Sequence, residues 1–382
     1  MALTVAVLAG CAAPAATSSA PSPTATLSAR APEPEAPTAP LPLEEEAEAR
    51  LIAMPLRARV ASLLMLHYPG ADPAALSGFM TETGAGGFIV MGDNLPGSAA
   101  DLPAATSALT LDPGLPPLIA IDQEGGAVSR LDEDTAPAGA ELAALPPDAT
   151  REAFTSRAAL LAGSGVTVNF GIVADVTGDS GSFIADRVLG AVPEEAALRV
   201  EQAVAGEQGT VLSTLKHFPG HGLVSGDSHF SLPRSDIGLE EWRAGAAVPF
   251  ARGIAAGAEL VMFGHLVLPA LDSAPASLSG PWHAMLRDEL GFDGIAVTDD
   301  MLMLQDSGIA EFADPLENAT RAVAAGNDLL VYVLAADPAV SGVDPVALVD
   351  GLTAAVESGR LSEERVDEAA LRLLEARLRL AE

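Results

Sequence analysis

The chain has 382 residues, with 20 Lys and Arg against 52 Asp and Glu and a net charge of -32. That balance excludes nucleic acid as a partner, since neutralising phosphates takes clustered cations, and it favours a monomer whose copies repel one another. Hydrophobic residues make up 49% of the chain, enough to core one large domain, and the single cysteine excludes intrachain disulfides and thiolate metal clusters.

That cysteine closes the stretch Leu8-Ala9-Gly10-Cys11. The pattern resembles the lipobox of a bacterial lipoprotein, in which the cysteine is acylated and becomes the new N-terminus. Residues 1–10 then read as the end of a signal peptide whose true start lies upstream, because the apolar run is short and no Lys or Arg precedes it. Residues 11–43 are Ala, Pro, Ser and Thr with little else, a composition expected to stay an extended, disordered tether. The expected location is therefore extracytoplasmic, held to the membrane by lipid alone, since no stretch is apolar enough to span. From Glu44 to Glu382 the pattern is that of a folded domain. Glu44, Glu45 and Glu46 suit the first turn of a helix, and Leu51, Ile52, Met54, Leu56 and Val60 continue it.

Eight short apolar runs follow: Leu63–Leu66, Gly87–Met91, Leu118–Asp122, Val166–Phe170, Val211–Leu215, Leu260–Phe263, Ile295–Thr298 and Leu329–Val333. Helix-like segments separate them, among them Pro193–Glu207, Leu239–Ala256, Pro281–Leu290 and Pro315–Ala325. Nearly continuous apolar strands alternating with helices predict a parallel sheet covered on both faces. Eight such units predict an α/β fold closed as a (β/α)8 TIM-like barrel. The rival, a doubly wound open sheet with a dinucleotide site, lacks any Gly-x-Gly-x-x-Gly after a strand. Ser362–Ala381 reads as an amphipathic helix packing on the barrel.

In such a barrel, function belongs at the C-terminal ends of the strands. There lie Asp122-Gln123-Glu124-Gly125-Gly126 with Arg130, then Asp175 and Asp186-Arg187, His265, and Asp299-Asp300. The densest cluster is Lys216-His217-Phe218-Pro219-Gly220-His221-Gly222 running on to Asp227-Ser228-His229, fourteen residues that hold three of the six histidines. It reads as a loop after the fifth strand. His217 and His221 have the spacing of a zinc-binding helix, but Pro219 and Gly220 break it and the glutamate of that motif is missing, so no metal and no cofactor are expected.

Carboxylates, arginines and a lysine in one cleft suit a neutral, hydroxyl-rich ligand. Glycosidic cleavage needs an acid at the leaving oxygen and a carboxylate near the anomeric carbon. Asp299 suits the carboxylate, with Asp300 and Lys216 placed to tune its ionisation. No isolated glutamate offers the acid. His229 is the candidate instead, with Asp227 orienting the imidazole; the plain alternative for that pair is a hydrogen-bonded turn.

These residues resemble family 3 glycoside hydrolases of the β-N-acetylglucosaminidase type. The likeness rests on Lys216–Gly222 with Asp227-Ser228-His229, on Asp122–Gly126 with Arg130, on Asp186-Arg187, and on Val297-Thr298-Asp299-Asp300 with Met303, in order over residues 50–340. It implies a barrel that removes terminal β-linked N-acetylglucosamine with retention, through a covalent glycosyl-enzyme. By position Asp299 is then the nucleophile, His229 the acid/base and Asp227 its partner. Asp122, Arg130, Arg187, Lys216 and His217 would hold the sugar. The chain departs from the pattern at Ala127, where arginine is common, and at Val188-Leu189-Gly190. Cell-wall fragments and chitooligosaccharides are the expected substrates.

Two rivals stand beside this reading. A histidine acid/base carries no negative charge after giving up its proton, so phosphate could replace water as acceptor, making a phosphorylase. A surface lipoprotein that only binds sugars is the other. Gly222 and Gly226 predict that the loop from 222 to 227 moves and closes over bound sugar to deliver His229.

Overall fold

Eight parallel strands close on themselves: β1 (Leu64–Leu66), β2 (Gly87–Val90), β3 (Leu118–Ile121), β4 (Val168–Val173), β5 (Leu212–Phe218), β6 (Leu260–Phe263), β7 (Ile295–Asp300) and β8 (Leu329–Tyr332). Each pairs with the next, and β8 returns to β1 with Leu64 opposite Leu330 and Leu66 opposite Tyr332. The computed structural model describes residues 41–95 and 97–382. The signal-peptide reading of residues 1–10, acylation of Cys11 and the tether as far as Pro40 fall outside the described residues. The first helix, Leu43–Ala53, begins one residue before Glu44.

The apolar runs account for the closure. Every residue of β1, β2, β3, β4, β6 and β8 is buried, as a sheet lined by helices requires. Helix starts are written as Asp-Pro at Asp72, Asp314, Asp337 and Asp344, where the carboxylate accepts from N–H groups of the first turn and proline occupies a position with no partner to lose. Such a cap contributes about 1 kcal/mol. The helix expected over Leu239–Ala256 is two, Leu239–Ala244 and Ala247–Ala255, divided at Gly245. Pro281–Leu290 likewise changes character, from Gly280–Ala284 into a wider π-helical turn over Met285–Glu289.

Three strands run further than their apolar stretches. β4 reaches Val173, β5 reaches Phe218 and β7 reaches Asp300. Lys216 and His217 are therefore strand residues, which corrects the reading of the fifth-strand cluster as a loop from Lys216 onward. The ladder also slips at each of these ends: between Asn169 and Ile172, Leu215 and Phe218, and Val297 and Asp300. Such irregularities re-aim side chains at barrel rims.

The opposite end is built for stability. The helix Glu363–Ala381 packs Leu374 and Leu378 on Ala47 of the first helix, as the sequence predicts. From it, Arg365 and Arg372 reach the fully buried Asp328, which Arg287 also meets at 2.7 Å. Among the described residues no helix is long and apolar enough to cross a membrane.

Candidate active site

β5 is fixed from beneath by the chain's only two tryptophans. The Phe218 ring lies 5.0–6.0 Å from Trp242, Phe250, Phe263 and Trp282, and Trp242 Nε1 donates to the Pro219 carbonyl at 2.8 Å. Phe218 is held on the helix side, and because the ladder slips between Leu215 and Phe218 the adjacent Lys216 and His217 both reach the barrel mouth, where a cleft of about 250 Å3 opens. Asp122, Glu124, Arg130, Arg187, Lys216, His217, His221, His229 and Asp299 share its wall, with Met91, Val128, Met303 and Val333 as apolar surface. Seven of the eight proposed site residues thus reach one cavity; Asp227 stands behind His229 rather than on the wall. A roomier groove of about 580 Å3 lies outside the barrel between helices Pro193–Glu207 and Ala247–Ala255, but it is largely apolar and its Arg243 and Arg252 are paired with Glu289 and Glu201.

The floor is an alternating array of charges. Lys216 is buried, and its Nζ sits 2.7 Å from both Asp122 Oδ1 and Glu124 Oε1. Glu124 also accepts both arms of the Arg187 guanidinium, at 2.8 and 2.7 Å, a geometry that fixes direction as well as charge. Arg130 Nη2 lies 3.7 Å from Asp122 Oδ2. Burial alone would raise Glu124; Lys216 and Arg187 outweigh it and hold the carboxyl at about 2. Burial likewise pulls Lys216 down, and Asp122 and Glu124 return it above its ordinary value.

Asp175, at the end of β4, is the buried node between the two inner histidines. It accepts the His217 N–H at 3.1 Å, His217 Nδ1 at 2.7 Å and the His221 N–H. With Nδ1–H donated there, His217 Nε2 faces Arg187 Nη2 at 3.4 Å as an acceptor. Burial and then Arg187 hold His217 well below its usual value, so it is neutral. Burial pushes Asp175 up to about 7 against the pull of His221 and Arg187. The helix that a zinc reading needs is not there, since His217 lies on β5 and His221 opens a single 3-10 turn.

Asp299 stands at the tip of β7, partly exposed, with Oδ1 accepting the Asp300 N–H at 2.8 Å. Burial opposes its charge, but His217, His265, that N–H and Lys216 together hold it below the ordinary carboxylate range. Asp300 tunes it as expected, through its backbone N–H. Its own carboxylate accepts from Leu302 and Val333 N–H at 3.1 Å, tying β7 to β8, and burial pushes it up to about 7. His265, wholly buried, spans Ser277 Oγ and the Asp300 carbonyl and so fixes the strand tip.

At the rim, His229 Nδ1 lies 2.5 Å from Asp227 Oδ1, which also accepts the His229 N–H at 2.9 Å. The hydrogen-bonded turn is present, and the carboxylate that forms it also holds the imidazole Nδ1. Nε2 is left to the cleft. The departures fall where they touch little of this: Ala127 is exposed, while Val188 packs with Val173 and Ile184.

Sequence reasoning left Glu124, Asp175, His221 and His265 without roles. Glu124 stood inside a quoted motif, but nothing local says that it is paired with an arginine 63 residues away. Its depressed pKa has a measurable consequence. Stability from Glu124 is complete above its ordinary 4.5 and is lost as pH falls towards about 2, on the order of 3 kcal/mol for a shift of that size. Urea unfolding between pH 6 and 2.5 should show this acid slope, and Glu124→Gln should flatten it; an unchanged slope in the variant would refute the pairing.

The sequence model of the family described as "Glycosyl hydrolase family 3 N terminal domain" matches residues 56–376. The chain is 33% identical over 261 residues to a protein of Methylococcus capsulatus named "Beta-hexosaminidase", covering 66% of this chain and 77% of that one. The structure of a glycoside hydrolase family 3 β-N-acetylglucosaminidase from Paenibacillus sp. superposes with a TM-score of 0.77 at 33% identity, covering 86% of this chain. This chain spans 63% of that longer one. A β-N-acetylhexosaminidase from Beutenbergia cavernae superposes with a TM-score of 0.73 at 28% identity, covering 85% of this chain and 98% of that one.

Proposed function

The chain belongs to glycosyl hydrolase family 3, and from that premise we propose that it is a retaining exo-β-N-acetylglucosaminidase acting on cell-wall fragments or chitooligosaccharides. One observation carries the reading: a partly exposed, ionised carboxylate, Asp299, shares a cleft with an imidazole whose Nδ1 is already bound to a carboxylate, Asp227.

Asp299 attacks the anomeric carbon while His229 gives its Nε2 proton to the leaving glycosidic oxygen. The C–O bond to the aglycone breaks as an ester to Asp299 forms. His229 Nε2 then takes a proton from water, which displaces Asp299 and restores the original configuration. Asp227 fixes the imidazole tautomer throughout. Asp122, Arg130, Arg187, Lys216 and His217 hold the sugar hydroxyls, with neutral His217 accepting at Nε2. The three cations of the floor, Arg130, Arg187 and Lys216, are balanced by Asp122, Glu124 and Asp299, which leaves the cleft suited to an uncharged ring rather than to an ion.

A chromogenic β-N-acetylglucosaminide and the matching glucoside, each with and without phosphate, test the reading. Cleavage of the former should exceed the latter by roughly 100-fold or more, since polar groups left unpaired by the wrong sugar are costly. Phosphate should change neither rate nor product. Sugar 1-phosphate in place of free sugar would convert the enzyme to a phosphorylase, and no cleavage of either substrate would remove the catalytic reading.

A further inference from the structure

The outer part of the loop that carries His229, residues 225–231, is held to the barrel by little. Ser225, Gly226, His229 and Phe230 are exposed, Phe230 at 78%. Its other bonds are internal: the His229 and Phe230 N–H groups, the His229 ring and the Ser231 hydroxyl all bond to Asp227. Ser228 is the exception. It is 2% exposed, and its Oγ lies 2.9 Å from His221 Nε2. Among the described residues this is the one hydrogen bond joining residues 225–231 to the rest of the chain.

We propose that Ser228 is a positioning residue whose hydrogen bond to His221 latches the loop and sets His229 at the rim of the cleft. This rests on reading His229 as the acid/base. Residues 227–230 form a tight turn, closed by the Phe230 N–H on the Asp227 carbonyl at 3.3 Å, in which Ser228 is buried and its two neighbours are not. Drawing Ser228 inward leaves Asp227 and His229 outward together, with side chains 37% and 58% exposed.

The partner side of the latch is rigid. The His221 N–H is held by Asp175, and its ring meets Phe183 edge-on at 4.7 Å and His217 at 5.7 Å. Gly222, expected to be a hinge, is instead a packing residue: a Cβ there would collide with the Val176 carbonyl. The chain is therefore fixed through Val224, and freedom begins at Ser225 and at Gly226, whose φ of 133° favours glycine. His221 Nδ1 is buried without a partner, so the bond to Ser228 is the only one its ring makes among the described residues. Because Asp175 binds both His217 and His221, the latch is also continuous with the wall proposed to hold the sugar.

Hydrogen exchange of the full chain tests the latch directly, with Ser228→Ala and with His221→Phe, which keeps the ring but removes Nε2. Both variants should speed exchange of amides 225–231 by about tenfold, the worth of one neutral hydrogen bond, and leave the strands unchanged. Cleavage of a β-linked disaccharide should fall by a similar factor in Ser228→Ala while an aryl glycoside with a very good leaving group is spared. Ser228→Thr, which keeps the hydroxyl, should restore both readouts. Unchanged exchange at 225–231 in both latch variants would overturn the proposal whatever happens to turnover. Faster exchange combined with equal loss on both substrates in a parallel His229→Ala variant would keep the latch and remove the acid role.

Discussion

Asp299→Ala is expected to lower turnover by on the order of 10^4 to 10^6, the scale seen when an enzyme loses its nucleophile, while the barrel unfolds at an unchanged midpoint. The two halves of that expectation have separate causes. Asp299 makes one hydrogen bond, from the Asp300 N–H at the strand tip, and the pairing of β7 with β8 is secured instead by Asp300 and by the strand backbone. Lys216 keeps Asp122 and Glu124 as counter-charges when Asp299 is gone, so no buried cation is orphaned. The chemistry has no such reserve. The cleft's other carboxylates are engaged: Asp122 and Glu124 with cations, Asp300 with two N–H groups. A fluorosugar that forms a slow glycosyl-enzyme should add one sugar mass to the wild type, on the peptide holding Asp299, and none to the variant. Turnover within tenfold of wild type, or a label on another carboxylate, would remove Asp299 as nucleophile.

The barrel was legible because a parallel strand buried on both faces is an unbroken apolar run, and all eight runs are there to be read. The same cue misplaces the strand ends that matter most. Lys216, His217, Asp299 and Asp300 look like loop residues because they are polar, yet they continue β5 and β7 and face a cleft whose polar partners lie far along the chain. Lys216 meets Asp122 across 94 residues. Asp299 and His229 could be singled out because their chemistry is unusual for their surroundings. Asp175 could not, since a carboxylate after a strand is most often a turn former, and only the fold gathers His217 and His221 around it. Local periodicity also hid the break at Gly245, because both short helices bury apolar residues, Trp242 and Phe250 among them, in one core cluster. The resemblance to family 3 enzymes supplied roles that the physical pattern left open, and the pairing of Glu124 with Arg187 came from neither.

His229→Ala separates acid catalysis from binding more sharply than any other substitution in the cleft. Its imidazole is at the rim, with Nδ1 committed to Asp227, so removing it creates no cavity and unpairs no buried charge. On a natural β-linked disaccharide, whose leaving alkoxide must be protonated, kcat/KM should fall by roughly 10^2 to 10^4, the usual worth of a positioned general acid. On a dinitrophenyl glycoside kcat/KM should stay near wild type, because it reports only steps up to the first irreversible bond cleavage and that leaving group departs unprotonated. Its kcat should still drop, since His229 also activates the water that frees Asp299, and the ester should accumulate as a burst of dinitrophenol. Azide needs no general base. Adding it should restore kcat in His229→Ala and yield the β-glycosyl azide, the configuration that two successive inversions at the anomeric carbon require. An α-azide would mean a single displacement, incompatible with Asp299 as nucleophile. Equal losses in kcat/KM on both substrates would show that His229 binds sugar without moving a proton, and the acid would have to come from another group at the rim.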